Sequence, residues 1–200
     1  MSRGRPDAAP VLGMLLTPGA GASSGHPTLL AVDRAASARG LAVERIDFPY
    51  RLAGRRAPDS PAVLARTVRD AAAVLAARLE ADTGRLVLGG RSMGGRVCSE
   101  VVAGGLAAAG LVLISYPLHP PGRPDRPRVE HLGSVRVPCL FVSGTRDAFG
   151  TPEELRAATA RIAGPVSHAW IERGDHGLAG HDGQVARLVM AWLEERFGLA

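Results

Sequence analysis

Residues 85–102 read Arg85-Leu86-Val87-Leu88-Gly89-Gly90-Arg91-Ser92-Met93-Gly94-Gly95-Arg96-Val97-Cys98-Ser99-Glu100-Val101-Val102. The short apolar run at 85–88, bounded by glycines, predicts a buried strand. The spacing over 92–102 predicts a helix. Between them, Gly90-x-Ser92-x-Gly94 places a serine on a sharp strand-to-helix turn. Flanking glycines give such a turn backbone room, and the helix N-terminus lends partial positive charge where an oxyanion could form. The plain alternative is a tight glycine turn whose serine only caps the helix.

Working outward, the same alternation repeats. Apolar runs at 11–17, 41–48, 111–115, 137–143 and 166–171 predict five further strands. Helical patterns lie between them. One runs over 27–39 and stops at Gly40. A second opens at Asp59 or Ser60 with Pro61 in the first turn and runs to about 81. Thr151-Pro152-Glu153-Glu154 opens a third with a cap, a proline and two acids. The last covers 183–197. Strands alternating with helices predict an α/β fold, with a mostly parallel sheet of about six strands and helices on both faces. Phe141, Val112, Trp170 and Trp192 are expected in the core. Residues 1–10 read as a flexible tail, and 11–200 as one domain.

Composition narrows the chemistry. All 24 basic residues among the 200 are arginine. Without lysine there is no pyridoxal Schiff base and no phosphate-loop lysine. The net charge of +5 is spread along the chain, and the Arg123, Arg126, Arg128 cluster is broken by Pro124 and Pro127. That argues against nucleic-acid binding. No apolar run reaches 18 residues, so no membrane span is expected. Cys98 and Cys139 lie in apolar stretches and read as buried free thiols, not as a disulfide framework. A cytoplasmic location is expected. The histidines are too scattered for a metal site: His176 and His181 are off one helical face, and His119, His131 and His168 read as ordinary polar or packing residues.

In parallel α/β folds, sites gather in the loops at the carboxyl ends of the strands. Those loops hold Pro18-Gly19-Ala20-Gly21, the Ser92 turn, Tyr116-Pro117-Leu118-His119, Gly144-Thr145-Arg146-Asp147 and Gly174-Asp175-His176-Gly177. Serine needs a base to attack near neutral pH. His176 is the expected base, with Asp147 orienting its ring; His181 is a rival base and Asp175 a rival orienter. The Met93 and Ala20 amides are the expected oxyanion donors. Tyr116, Leu118 and Phe149 are expected to line an apolar acyl pocket, and Arg91 and Arg146 to favour an anionic acyl group. Another reading takes Gly19-x-Gly21-x-x-x-Gly25 as a dinucleotide loop with Asp47 as the ribose-binding acid, though the glycine spacing is off by one.

Taken together, these stretches are similar to the α/β-hydrolase superfamily, in particular its small, cap-less, dienelactone-hydrolase-like branch. That branch includes bacterial hydrolases and the testis-expressed protein 30 and KAT8 regulatory complex subunit 3 group. The likeness rests on Gly19-Ala20-Gly21 with His26-Pro27, Asp47-Phe48-Pro49-Tyr50, Gly89 to Arg96, Tyr116 to Gly122, Ser143 to Asp147 and Gly174-Asp175-His176. It implies a Ser92–His176–Asp147 triad, no cofactor and a small-molecule ester or acyl substrate. One departure is Pro18, where relatives often carry histidine. The branch's namesake enzymes use a cysteine nucleophile, so Ser92 separates this chain from their substrate. The expected function is hydrolysis of a carboxylic ester or related acyl bond. The alternative is a binding or scaffold protein that keeps the fold.

Overall fold

The computed structural model describes residues 10–199. All of the expected tail except Pro10 lies outside the described residues. Six strands form one all-parallel sheet: β1 (Gly13–Thr17), β2 (Ala42–Arg45), β3 (Leu86–Arg91), β4 (Gly110–Ile114), β5 (Cys139–Gly144) and β6 (Val166–Ile171), in the order β2-β1-β3-β4-β5-β6. The helices are α1 (Pro27–Ser37), α2 (Pro49–Leu52), α3 (Pro61–Arg78), α4 (Met93–Ala103), α5 (Pro152–Thr159) and α6 (Asp182–Phe197).

Alternate residues of each strand feed opposite layers, as the pleat demands. Leu15, Leu86, Leu88, Leu111, Leu113 and Phe141 pack with α3, α4 and α5. Met14, Leu16, Val87, Val112, Ile114 and Val142 pack with α1 and α6. The central strands therefore read as unbroken apolar runs, because both faces are covered. The edge differs. All but the last residue of β6 are only half-buried, and Trp170, expected in the core, packs at its margin, stacked on His168 with Arg156 over its ring. An indole at a sheet edge has one neighbouring strand and keeps one side near water.

Several boundaries depart from the sequence expectation; the strand expected at 41–48, for example, spans only Ala42–Arg45. Strand β3 runs on through Gly89, Gly90 and Arg91, which read as loop. These glycines are required by close packing: a Cβ at Gly90 would lie 2.2 Å from the Thr17 carbonyl oxygen. The short helix α2 was not expected; Pro49 at its first position is its main local signal. Helix α3 stops at Arg78, short of 81, where Glu80 adopts φ 51°.

The longest irregular stretch among the described residues, 115–131, is anchored on α4. His131 Nε2 lies 2.8 Å from Ser99 Oγ and 3.3 Å from the Tyr116 hydroxyl. Burial, with Arg96 nearby, lowers the His131 pKa to about 4. In the unfolded chain the same imidazole takes its proton near pH 6.5. The folded state binds that proton less readily, so its contribution to stability is intact above about pH 6.5 and is lost as pH falls toward 4. Urea denaturation should therefore give a lower midpoint at pH 5 than at pH 7, and His131→Gln should narrow the difference. At α5, Thr151 Oγ accepts the Glu154 amide while the Glu154 carboxylate accepts the Thr151 amide. Thr151→Ala should cost about 1 kcal/mol, read as a Tm lowered by about 2–4 °C.

Candidate active site

The parallel sheet brings the carboxyl ends of β1, β3, β5 and β6 to one edge. Ser92 follows β3 directly, at φ 51° and ψ −121°. A non-glycine residue adopts that conformation only where its surroundings enforce it. The Ser92 amide donates to the Ile114 carbonyl at 2.8 Å, and α4 begins at once. Gly94 makes the turn sterically feasible, because a Cβ there would lie 2.4 Å from Thr17 Oγ1 and 2.5 Å from the Pro18 carbonyl oxygen. The end of β1 thus packs against the first turn of α4 with no space for a side chain. Ser92 makes no side-chain cap bond to its helix. The plain capping alternative therefore does not describe it.

Its hydroxyl instead lies 2.9 Å from His176 Nε2. His176 Nδ1 is 2.9 Å from both Asp147 carboxylate oxygens. A carboxylate only accepts, so Nδ1 carries the proton and Nε2 is left to accept the serine hydroxyl. Asp147 is 2% exposed, and its Oδ1 also accepts the Phe149 amide at 2.8 Å. The Phe149 ring stacks on the imidazole, centroids 3.9 Å apart. Two bonds tie the base loop to the acid loop: the Arg146 backbone amide donates to the Gly174 carbonyl at 2.8 Å, and the Arg173 backbone amide donates to the Thr145 hydroxyl at 2.8 Å.

Both rivals have other partners. Asp175 turns back on its own loop and accepts the Gly177 and Leu178 amides. His181 precedes α6 and contacts Gln184 Oε1 at 3.2 Å. Asp47, the acid of the dinucleotide reading, is also engaged. One oxygen accepts the Ser24 amide and the other the Ser24 hydroxyl, each at 2.7 Å. That carboxylate therefore ties the first loop to the segment after β2. Among the described residues, no three His, Cys, Asp or Glu side chains converge on a metal position.

Of the two expected donors, one belongs to the serine turn and the other to the first loop. Met93 opens α4, where helix amides lack intrahelical acceptors. The Ala20 loop packs beside Ser92: a Cβ at neighbouring Gly19 would be 3.3 Å from the Ser92 Cβ. Ala20 itself is exposed.

Three expectations need correction. Tyr116 is 1% exposed, packs edge-on against Phe141 and directs its hydroxyl to the Arg128 carbonyl and His131. It is a core residue and offers no surface to a ligand. Leu118 is 4% exposed and packs beside Gly150; it borders a separate hollow with Pro124, Pro127 and Val129. The dense apolar packing beneath the 115–131 stretch draws both side chains inward. Arg91, expected to face an anionic acyl group, bonds instead to the His176 and Gly177 carbonyls. The Arg91 contacts were not legible in the sequence, since nothing local marks a carbonyl 85 residues away as a partner.

Cys98 and Cys139 are buried free thiols, and burial pushes each pKa up to about 12. Neither is a nucleophile near neutral pH. No described helix is long and apolar enough to cross a membrane.

Comparison with known proteins agrees with this architecture. An α/β-serine-hydrolase homologue from Coxiella burnetii superposes with a TM-score of 0.75 at 17% identity, covering 94% of this chain and 88% of that one. The esterase domain of a Rhodothermus marinus protein gives 0.71 at 21% identity, covering 96% and 90%. A dienelactone hydrolase from Anabaena variabilis gives 0.71 at 21% identity, covering 94% and 88%. At such identities the likeness speaks for the fold alone. A family model described as an alpha/beta hydrolase domain matches residues 11–187, most of the sequence. The chain belongs to the alpha/beta hydrolase family.

Proposed function

We propose that this protein is a serine hydrolase that cleaves a carboxylic ester or related acyl bond of a small molecule through an acyl-enzyme. The observation that carries this reading is the unbroken relay from the Ser92 hydroxyl through the His176 ring to the buried Asp147 carboxylate, each step at 2.9 Å. No metal or organic cofactor is invoked.

In the reaction, Ser92 Oγ attacks the acyl carbon as its proton passes to His176 Nε2. The carbonyl double-bond pair moves onto oxygen, where the Met93 and Ala20 amides stabilise the charge. One such donor contributes about 10²–10³ in rate. Asp147 holds the imidazole in one tautomer and stabilises the imidazolium. The tetrahedral adduct collapses, the acyl–oxygen bond breaks, and the alcohol leaves with the proton from Nε2. Water then repeats the sequence on the acyl-enzyme. His176 removes its proton, the acid departs and Ser92 regains its hydrogen. Phe149 covers one face of the imidazole and would flank the approach to it.

A fluorophosphonate probe should label folded protein at Ser92, and p-nitrophenyl acetate should be hydrolysed. Ser92→Ala should abolish labelling and lower kcat by about 10⁴-fold or more with the fold intact. Wild-type protein that is folded yet neither labelled nor active toward short- and long-chain p-nitrophenyl esters would leave a scaffold that merely keeps the fold. Asp147→Asn would present an amide to Nδ1 and favour the wrong tautomer. It should lower kcat by about 10⁴-fold, with KM changed little.

A further inference from the structure

The geometry points to Arg91 as a positioning residue that holds His176 in register with Ser92. This inference rests on the proposed serine-hydrolase reading of the same site. Arg91 is the last residue of β3 and immediately precedes Ser92. Its backbone is paired with Ile114 in the β3–β4 ladder, so its origin is fixed by the centre of the sheet. Its side chain is 9% exposed and crosses to the base loop, where one Nη2 donates to the His176 carbonyl at 2.6 Å and the Gly177 carbonyl at 3.0 Å.

The cost of this arrangement is what makes it informative. A guanidinium taken out of water carries a desolvation penalty, and such groups are normally paired with a carboxylate. Burial lowers the Arg91 pKa, with Asp147, Asp175 and Asp182 acting against that at longer range. Yet among the described residues Arg91 makes no direct ion pair, and its Nε has no hydrogen-bond partner. Both hydrogen bonds of its side chain go to the backbone of the base or of its neighbour. The first loop lies against it as well, since a Cβ at Gly19 would be 3.6 Å from Nη1.

The Ser92–His176 pair is thus closed twice, once through Oγ···Nε2 and once through the adjacent side chain to the His176 carbonyl. The second closure remains when the first is broken. During acyl transfer Ser92 Oγ becomes bonded to carbon, and the imidazole must stay in place to deliver and later recover a proton. A clamp that does not use the reacting atoms keeps the ring aligned through that interval. Misplacement by about 1 Å can cost about 10²-fold in rate. Arg91 touches no substrate in this scheme, so its loss should act on kcat and leave KM alone.

Arg91→Gln and Arg91→Lys, compared with wild type, test this. Three readouts are needed: steady-state hydrolysis of p-nitrophenyl acetate, the rate of fluorophosphonate labelling, and amide hydrogen exchange. Arg91→Gln should lower kcat and the labelling rate together by about 10–100-fold, with KM within about twofold. Exchange should quicken over residues 174–181 and stay unchanged in the sheet. Arg91→Lys keeps the charge and one donor nitrogen on a shorter side chain, and should recover part of the loss. Unaltered exchange at 174–181 overturns the clamp. So does a KM effect without a kcat effect, or failure of both variants to fold. The exchange readout needs no turnover, so an inactive wild type would overturn the hydrolase reading while leaving the clamp itself measurable.

Discussion

Ser92 occupies a backbone conformation that costs on the order of 1–3 kcal/mol for a residue with a side chain, and the rest of the site is arranged around that constraint. It persists because the chain on either side is over-determined. Before it, β3 is hydrogen-bonded between β1 and β4; after it, α4 begins immediately. The end of β1 is pressed so closely on Gly90 and Gly94 that a single methyl group at either would collide with Thr17. Thr17 Oγ1 then donates to the Gly89 carbonyl at 3.0 Å, tying the two strand ends together. Relaxing the serine would require separating β1 from β3, which would disrupt the centre of the sheet.

The other loops of the site are held by the same device, polar groups spent on backbone. Asp47 takes the Ser24 amide and hydroxyl; Thr145 takes the Arg173 amide; the Arg91 guanidinium donates to the carbonyls of His176 and Gly177. Side chains that seemed candidates for ligand contacts are thereby consumed in fixing loops. Loops at a strand edge carry many unpaired backbone groups, and each such bond both satisfies one and removes a degree of freedom. A geometry that needs placement within fractions of an ångström is better built this way than from mobile surface residues.

Much of this was legible in the sequence, for reasons that can be named. Strand and helix order followed from apolar runs and glycine or proline boundaries, because a sheet buried on both faces leaves a strong signal. The Ser92, Asp147 and His176 positions followed from loop placement at strand ends. What the sequence concealed were partnerships at long separation. Arg91 carries no local mark that its guanidinium turns toward residue 176, and Tyr116 reads equally well as pocket or core. Gly89 and Gly90 misled in the other direction. Glycine suggests a loop, whereas here it is the only residue that lets neighbouring strands approach.

The molecule contains a second serine–histidine contact, and the comparison sharpens the reading of the first. Ser99 Oγ lies 2.8 Å from His131 Nε2, as close as Ser92 is to His176. But Ser99 already donates its single proton to the Arg96 carbonyl at 2.7 Å, so toward His131 it can only accept. That imidazole therefore donates from Nε2 and cannot act as a base toward the serine. Among the described residues no carboxylate bonds to His131, and Ser99 is fully buried within a helix. Ser92 differs on each count. Its hydroxyl has no competing acceptor on the helix, its partner ring is oriented by Asp147, and it lies half-buried at a strand end. Equal distances thus conceal opposite proton directions, and it is the direction, set by the third partner, that separates a packing contact from a candidate nucleophile.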